Sequence, residues 1–574
     1  MPRFAENITN GNITRGKINV TSDLIKEYIN PVKIVAASDN VKNAECLLTN
    51  KNTQVFFKEK AFLSCKGKGY IILDFGKELH GGARILSYYL EGQKTLLTAR
   101  LRFGESVGET CAELGEKNAT NDHSVRDIPI YIPDLSDQEW GRTGFRFLRI
   151  DFLDENKEYR LTNVYAFSTY RNEKFIGEFS CSDERVNKIY ETARYTLFVN
   201  MQENLWEGIK RDRLVWIGDM QPEVLTITDL FGSHPLAEKA IEESVEKNPL
   251  PCWFGNIPTY SAWLIQIVSD YYMKTGNAEF FKKFVPYIDG ILKQLDGVVE
   301  ENGDIDYSLI PVDARNGFFL DWPSNGTRDA KEGNRAVFIV ALRSYLSVCK
   351  EAGITPDPTC EKVLVKLKKA EKNDVNLKQI VALSYLAGRI EKNSAAEKLT
   401  NGGAKGLSTF MSYFIFKALA ECSGIDKAVD IMKDYYGGML DRGATSFWED
   451  FNPEWLDGSG RIDEITPEGL KDLHGDHGAF CYKGFRHSLC HGWSCGPVQF
   501  LTEKVLGIEV LSAGCKKIAI NPDLGNLEYA KGKFPTPYGA ISVDAKKENG
   551  KTVVSVCAPK EIEIVSDYGT VNKY

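Results

Sequence analysis

A chain of 574 residues, 43% hydrophobic and 26% charged, is long enough for roughly three or four folding units and has the composition of an ordinary globular protein. Its formal net charge of -8 argues against a nucleic-acid partner, which would want a basic stripe interleaved with aromatics. No uninterrupted apolar run is long enough to cross a bilayer, so no membrane partner is expected either.

The opening Met-Pro-Arg-Phe-Ala-Glu-Asn lacks the apolar stretch and cleavage site of a secretory signal. Thirteen cysteines, an odd number without regular spacing, do not make a disulfide framework. Together these features lead to the expectation of a cytoplasmic protein. From the start to about Arg171 the chain shows short β-rich runs, among them Gly69-Tyr-Ile-Ile-Leu-Asp-Phe, Arg84-Ile-Leu-Ser-Tyr-Tyr-Leu and Phe145-Arg-Phe-Leu-Arg-Ile-Asp-Phe, broken by Gly, Asn and Asp. A β-sandwich domain over residues 1–172 is predicted. After Ser182 and Asp183, both plausible N-caps, Val186, Ile189, Tyr190, Ala193 and Leu197 fall at helical spacing. Further amphipathic helices follow: a stripe of Trp263, Ile267 and Tyr271 that stops at Gly276, another from Phe281 to Leu295, the Lys-rich stretch near 360–400, where Lys362 to Lys372 read as a solvated face, and Leu407 to Ala420. Paired helices of similar length fit hairpins closing into a toroid, here assigned to residues 173–507. Strand patterns return in Lys517-Ile-Ala-Ile, Gly539-Ala-Ile-Ser-Val-Asp and Thr552-Val-Val-Ser-Val, punctuated by Pro522, Pro535 and Pro537, which defines a second β-sandwich domain over 508–574.

Within the helical part, Glu207-Gly-Ile-Lys-Arg-Asp-Arg-Leu-Val-Trp-Ile-Gly-Asp219 gathers three carboxylates, three cations and a Trp around two glycines. Gly208 and Gly218 free the backbone to turn, Trp216 offers a flat apolar face, and Glu207, Asp212 and Asp219 can converge with Arg211 and Arg213 on a small polar ligand. The competing reading is a surface loop laced with ion pairs. The aromatic fraction of 11%, with 9 Trp and 25 Tyr, leans mildly toward a carbohydrate.

These residues carry a resemblance. The chain resembles glycoside hydrolase family 78, the inverting α-L-rhamnosidases, most densely in Asp-Arg-Leu-Val-Trp-Ile-Gly-Asp at 212–219, Phe-Leu-Asp-Trp-Pro at 319–323, Gly-Ala-Thr-Ser-Phe-Trp-Glu at 443–449 and Leu-Cys-His-Gly-Trp-Ser-Cys-Gly-Pro at 489–497. Weaker likeness lies in Arg100-Leu-Arg-Phe-Gly-Glu, Thr143-Gly-Phe-Arg-Phe, Phe179-Ser-Cys-Ser-Asp, Asp270-Tyr-Tyr and Pro535-Thr-Pro. The resemblance implies an (α/α)6-barrel catalytic domain flanked by β-sandwich domains. It also implies Asp212 as general acid and Glu449 as general base, with Asp321, Trp322, Trp448 and His491 lining the sugar site and Trp263 and Trp493 stacking on the ligand. Chemistry supports the acid–base pair independently, because glycosidic cleavage needs one carboxyl to protonate the leaving oxygen and one carboxylate to activate water.

Three tensions accompany that reading. Arg211 and Arg213 flank Asp212 and favour its ionised form, whereas an acid catalyst must hold a proton; Glu207 and Asp219 would push the other way. Large aromatics on helices usually belong to the core, which bears on Trp263 and Trp493, and an Asp-Trp pair such as Asp321–Trp322 more often caps a helix and fills a core. Finally, Glu207 stands where the family's segments usually begin with Asp, so the pocket or the preferred sugar is expected to differ.

The span His474-Gly-Asp-His-Gly-Ala-Phe-Cys with His487, Cys490 and His491 raises a metal site, but no Cys-x-x-Cys or His-Glu-x-x-His appears, and no metal or cofactor is expected. The expected partner is a small-molecule or oligosaccharide glycoside, and a homo-oligomer is compatible with the composition. Two other classes remain: a sugar-binding protein without turnover, against which both Asp212 and Glu449 count, and another (α/α)6 glycosidase or a phosphorylase, which would want a phosphate site where the base sits.

Overall fold

The computed structural model describes residues 23–49, 62–88, 96–310, 318–480, 482–568 and 570–574. Tyr89, Leu90 and Cys481, which belong to motifs named above, lie outside the described residues, as does the N-terminal stretch.

The N-terminal part is a nine-stranded antiparallel sheet. Its centre is Gly69–Ser87, flanked by Asp137–Phe152 and Glu158–Arg171. Two runs expected as separate strands, at 69–75 and from Arg84, are thus one 19-residue strand. Register shifts against Asp137–Phe152 fall between Asp74 and Leu79 and between Gly81 and Ala83, and such bulges bend a strand without ending it. Leu73, Phe75, Leu79, Ile85, Phe103, Phe145, Leu148 and Ile150 form its apolar core. Strand Leu97–Gly104, paired between Asp137–Phe152 and the edge strand Asp127–Ile132, runs on into Glu105 and a short helix, Val107–Cys111, that faces the helical part.

Twelve α-helices follow between Glu184 and Phe500 among the described residues. The first starts where the sequence predicts, since the Asp183 carboxylate accepts from the amides of Arg185 and Val186 at 2.9 and 3.3 Å. Six helices, Met220–Phe231, Pro258–Thr275, Asp329–Ala352, Lys378–Leu386, Ser412–Ser423 and Gly496–Phe500, pack one upon the next, and the last returns against the first. The others lie outside this closed circuit, as Glu184–Asn200 does against Ile425–Asp441. Pro258–Thr275 is capped by Gly276 in the left-handed region, as its sequence stripe implies. Lys362 is exposed and solvated as expected, whereas Lys366 on the same helix is buried beside Asp296.

At the C-terminus a five-stranded sheet and a three-stranded sheet close the chain. The five-stranded sheet recruits Glu178–Cys181 from before the first helix, which pairs with Tyr529–Thr536, Phe179 lying opposite Gly532. No helix among the described residues is long and apolar enough to cross a membrane.

The N-terminal sheet reaches the helical part at Gly144, where a Cβ would stand 2.7 Å from both Ile209 Cγ1 and the Lys210 amide nitrogen. No side chain fits between sheet and loop. Gly144→Ala is expected to lower stability by about 1–3 kcal/mol, the usual cost of overpacking, read as an earlier urea midpoint; an unchanged midpoint would show that the contact yields freely.

Candidate active site

The segment from Glu207 to Asp219 forms a loop closed on itself: the Glu207 amide donates to the Leu214 carbonyl at 3.2 Å, and the Leu214 amide donates to Glu207 Oε2 at 2.8 Å. Its base is tied to the segment carrying His491 by a β-bridge at Gly208 and by the Gly492 amide, 2.6 Å from the Glu207 carbonyl. At its tip Asp212 and Arg213 both adopt left-handed backbone, with φ of 55° and 53°. For non-glycine residues this conformation costs roughly 1–2 kcal/mol each, so the surroundings must enforce it. Arg213 helps to do so by donating to the carbonyls of Arg142 and His123 at 3.3 and 2.6 Å.

Arg211 points the other way. One terminal nitrogen lies 2.9 Å from Asp212 Oδ2, and the other lies 2.5 and 2.7 Å from the two oxygens of Glu449. Of the two arginines that flank Asp212, one therefore turns inward and one outward. Glu449 is held along its whole length: the Ser488 amide donates to Oε2 at 3.2 Å, its own amide donates to the Ser488 carbonyl at 3.0 Å, and its carbonyl accepts from Trp493 Nε1 at 2.9 Å and Thr409 Oγ1 at 2.7 Å. His491 Nε2 stands 3.7 Å from Glu449 Oε1 and 3.9 Å from Asp219 Oδ1, and the Tyr260 hydroxyl is 3.4 Å from Asp219 Oδ2.

Burial sets the charge states. It pushes the carboxyls of Glu207 and Asp219 well above the ordinary range, with Asp219 and Asp212 adding to the effect on Glu207, and Glu449 and Asp212 adding to that on Asp219. Burial also raises Glu449, but there the Arg211 guanidinium pulls back. His491 is driven well below its usual range by burial, with Arg211 and His487 adding, so its imidazole is neutral. Glu207 Oε1 and His491 Nδ1 are buried with no hydrogen-bond partner among the described residues.

Other expected residues take varied places. Trp493 packs its ring 4.2 Å from that of His491 and stacks on Phe410. Trp216, half-buried, meets Tyr260 edge-on. Trp322 lies 6.2 Å from Tyr482, which in turn lies 6.2 Å from Trp493 and has the Arg211 guanidinium 6.0 Å over its ring. Asp321 accepts from the Ser324 amide and from Gln379 Nε2, both at 3.0 Å, so it clasps a turn to a neighbouring helix. Trp263, between Phe410 and Phe414, and Trp448, against Phe451, are 1% exposed and lie in the core.

The histidine-rich span is woven into hydrogen bonds. His474 Nε2 donates to the His487 carbonyl, which leaves its Nδ1 to accept from Ser106; His487 Nε2 accepts from the Asp450 amide; and His477 Nε2 pairs with Ser459. Glu105, Glu109 and His474 do present ligand atoms within 4.8 Å of one another, but Lys210 Nζ stands 2.9 Å from Glu105 and 3.4 Å from Glu109.

Several residues at the site carry no sequence signal of their own. His123 Nδ1 touches Asp212 Oδ1, from a loop of the N-terminal part whose Asp122 pairs with Arg486. Glu223, buried on the helix after the loop, has neither carboxylate oxygen partnered among the described residues and lies against Gly492. Tyr482 and Tyr260 are further examples. Glu105 and Gly144 were reachable, because both fall in the weaker motifs, Arg100 to Glu105 and Thr143 to Phe147, whose likeness now has a cause: each abuts the 207–219 loop or what holds it.

Residues 174–352 match the family profile of the bacterial alpha-L-rhamnosidase six-hairpin glycosidase domain, and residues 507–565 match that of the bacterial alpha-L-rhamnosidase C-terminal domain. Among solved structures, the GH78 rhamnosidase of Bacillus sp. GL1 superposes with a TM-score of 0.70 at 20% identity over 93% of this chain, which spans 56% of that protein. The rhamnosidase from Klebsiella oxytoca, with rhamnose bound, gives 0.63 at 18% identity, covering 85% of this chain and 98% of that one. The Streptomyces avermitilis alpha-L-rhamnosidase complexed with L-rhamnose gives 0.66 at 15% identity over 87% of this chain and 48% of that one. These likenesses show a shared mixed helical and sheet fold, and no curated protein sequence matches. The resemblance to glycoside hydrolase family 78 is borne out.

Because Arg211 opposes the burial effect on Glu449, Arg211→Met is expected to move the Glu449 titration upward, followed by carboxyl-carbon NMR. A titration at the parent position would show that the two groups are not electrostatically coupled.

Proposed function

We propose that this chain, which carries the glycosidase and C-terminal domains of the bacterial α-L-rhamnosidases, is an inverting glycoside hydrolase that releases terminal α-L-rhamnose from glycosides or oligosaccharides. The observation that carries this reading is the Arg211 bridge: two carboxyls from segments far apart in sequence meet one guanidinium, one partly exposed and one buried. With about 2.3 Å between the terminal nitrogens of a guanidinium, the bridged oxygens lie no more than about 8 Å apart, compatible with the roughly 6.5–9.5 Å that leaves room for sugar and water.

In this mechanism Asp212, at the open tip of its loop, gives its proton to the glycosidic oxygen as the bond to the anomeric carbon breaks. Glu449 takes a proton from the water that attacks the opposite face. Arg211 keeps the buried Glu449 ionised and able to act as base. Asp219, neutral His491 and the free oxygen of Glu207 are the polar groups available to sugar hydroxyls, while Trp216, Trp322, Tyr482 and Trp493 supply apolar walls. Since Glu207 spends one oxygen on the Leu214 amide, only Oε1 is left for a ligand, and its extra methylene relative to Asp is taken up in closing the loop. The six-helix circuit supports an (α/α)6 toroid over 173–507, with sandwich-like sheet domains at 1–172 and 508–574. The cysteines among the described residues are all free thiols, which supports a reducing cytoplasm.

Asp212→Asn and Glu449→Gln are each expected to lose roughly 10²–10⁴-fold in kcat on an unactivated α-L-rhamnoside while keeping the parent fold by circular dichroism. Near-parental turnover by either variant removes that residue from its role. The second expectation is stereochemical. Proton NMR early in turnover should show the β anomer first, because water enters opposite the leaving group; an α product would mean a covalent intermediate.

A further inference from the structure

Lys210 sits two residues before the proposed acid, and its ammonium is buried. Besides the carboxylates of Glu105 and Glu109, it meets the carbonyl oxygens of Phe485 at 2.9 Å and His487 at 2.7 Å. Both glutamates are 1% exposed and both come from the N-terminal part. Glu105 has a second duty: Oε2 accepts from the Leu489 amide at 2.6 Å, and Oε1 accepts from Ser488 Oγ at 3.3 Å. Ser488 is the residue whose amide and carbonyl grip Glu449. A continuous path therefore runs from the loop of Asp212, through Lys210 and the 485–489 backbone, to the proposed base.

We propose that Lys210 is a positioning residue for the acid–base pair, and that the N-terminal part, through Glu105 and Glu109, fixes Asp212 relative to Glu449. The counter-charge comes from a side chain of the loop itself. The loop cannot move away without leaving two buried carboxylates unpaired, so its placement and the charge balance of the junction are one condition. Around the cluster stand Glu78, a third buried carboxyl pushed well up by burial with Glu105 adding, and His474 and Arg126. His474, neutral through burial, turns its Nδ1 toward Ser106 and lies 3.9 Å from Glu109, and the Arg126 guanidinium caps the Glu109 carbonyl at 2.9 Å.

The link to catalysis rests on the rhamnosidase reading, but the structural link does not, so the test has two arms on the full chain. In the first, hydrogen exchange followed by mass spectrometry compares the parent with Lys210→Met, Glu105→Gln and the double variant. Faster exchange is expected in 207–214 and in 485–490 together, with little change elsewhere, and the double variant should be no worse than either single one. Glu105→Gln keeps the shape of the site and serves should Lys210→Met fail to fold. Faster exchange confined to one segment, spread evenly over the chain, or absent overturns the proposal. In the second arm, kinetics on an aryl α-L-rhamnoside should show kcat reduced by up to about 10²-fold with KM within about twofold, as expected when reacting groups are misplaced by about an ångström. A kcat that stays at the parent value in exchange-perturbed variants also overturns it. If the parent hydrolyses no rhamnoside, the functional reading fails while the exchange arm still decides the positioning role.

Discussion

The guanidinium of Arg211 is the point on which the site depends. A carboxylate as buried as Glu449 is unfavourable in its ionised form unless a cation stands against it, and Arg211 does so with one nitrogen on both oxygens. To place that nitrogen, the loop must deliver Arg211 inward, which in turn forces the left-handed backbone at Asp212 and Arg213. The strain is local. Its compensation is spread over Glu207, Leu214, His123 and Arg142, so the geometry of one ion pair draws on both the helical part and the N-terminal sheet.

A graded environment then separates groups of the same chemical type. Glu207 and Asp219 have no cation close enough to offset burial, which pushes both carboxyls well above the ordinary range. Glu449, a few ångströms from Asp219 through His491, is pulled toward the ionised form by Arg211. Asp212 alone among the four carboxyls stands partly exposed at the loop tip. One pocket thus holds carboxyls of the same chemical type in unlike environments, one of them paired with a cation.

What the sequence made legible follows from how local each signal is. Asp183, Gly276 and the stripes of the long helices act through neighbours three or four residues away, and they stand where pattern alone places them. Asp212, Glu449 and His491 could be named because each sits in a short motif of unusual composition. The roles of His123, Lys210, Glu223 and Tyr482 could not be read, since each exists only once segments about ninety or more residues apart are in contact. Aromatics are the least legible: Trp493 packs against His491 and Trp322 against Tyr482 while Trp263 and Trp448 fill the core, and nothing within a few residues of each distinguishes the two fates. The strand from Gly69 was misjudged in length for a related reason, since a bulge looks like a strand end until the partner strand is seen.

The strand Glu178–Cys181 gives the molecule a temporal constraint. Phe179 lies opposite Gly532, so the chain must extend by 353 further residues before this edge finds its partner. At roughly 5–20 residues per second, translation takes on the order of 20–70 s to cover that distance. During that interval Phe179, buried in the finished protein, faces an incomplete sheet at the junction of the two parts already made. The strand that closes this edge, Tyr529–Thr536, is made only after the last α-helix, so a chain cut between Phe500 and Tyr529 would carry an unsatisfied strand edge beside an otherwise complete set of helices.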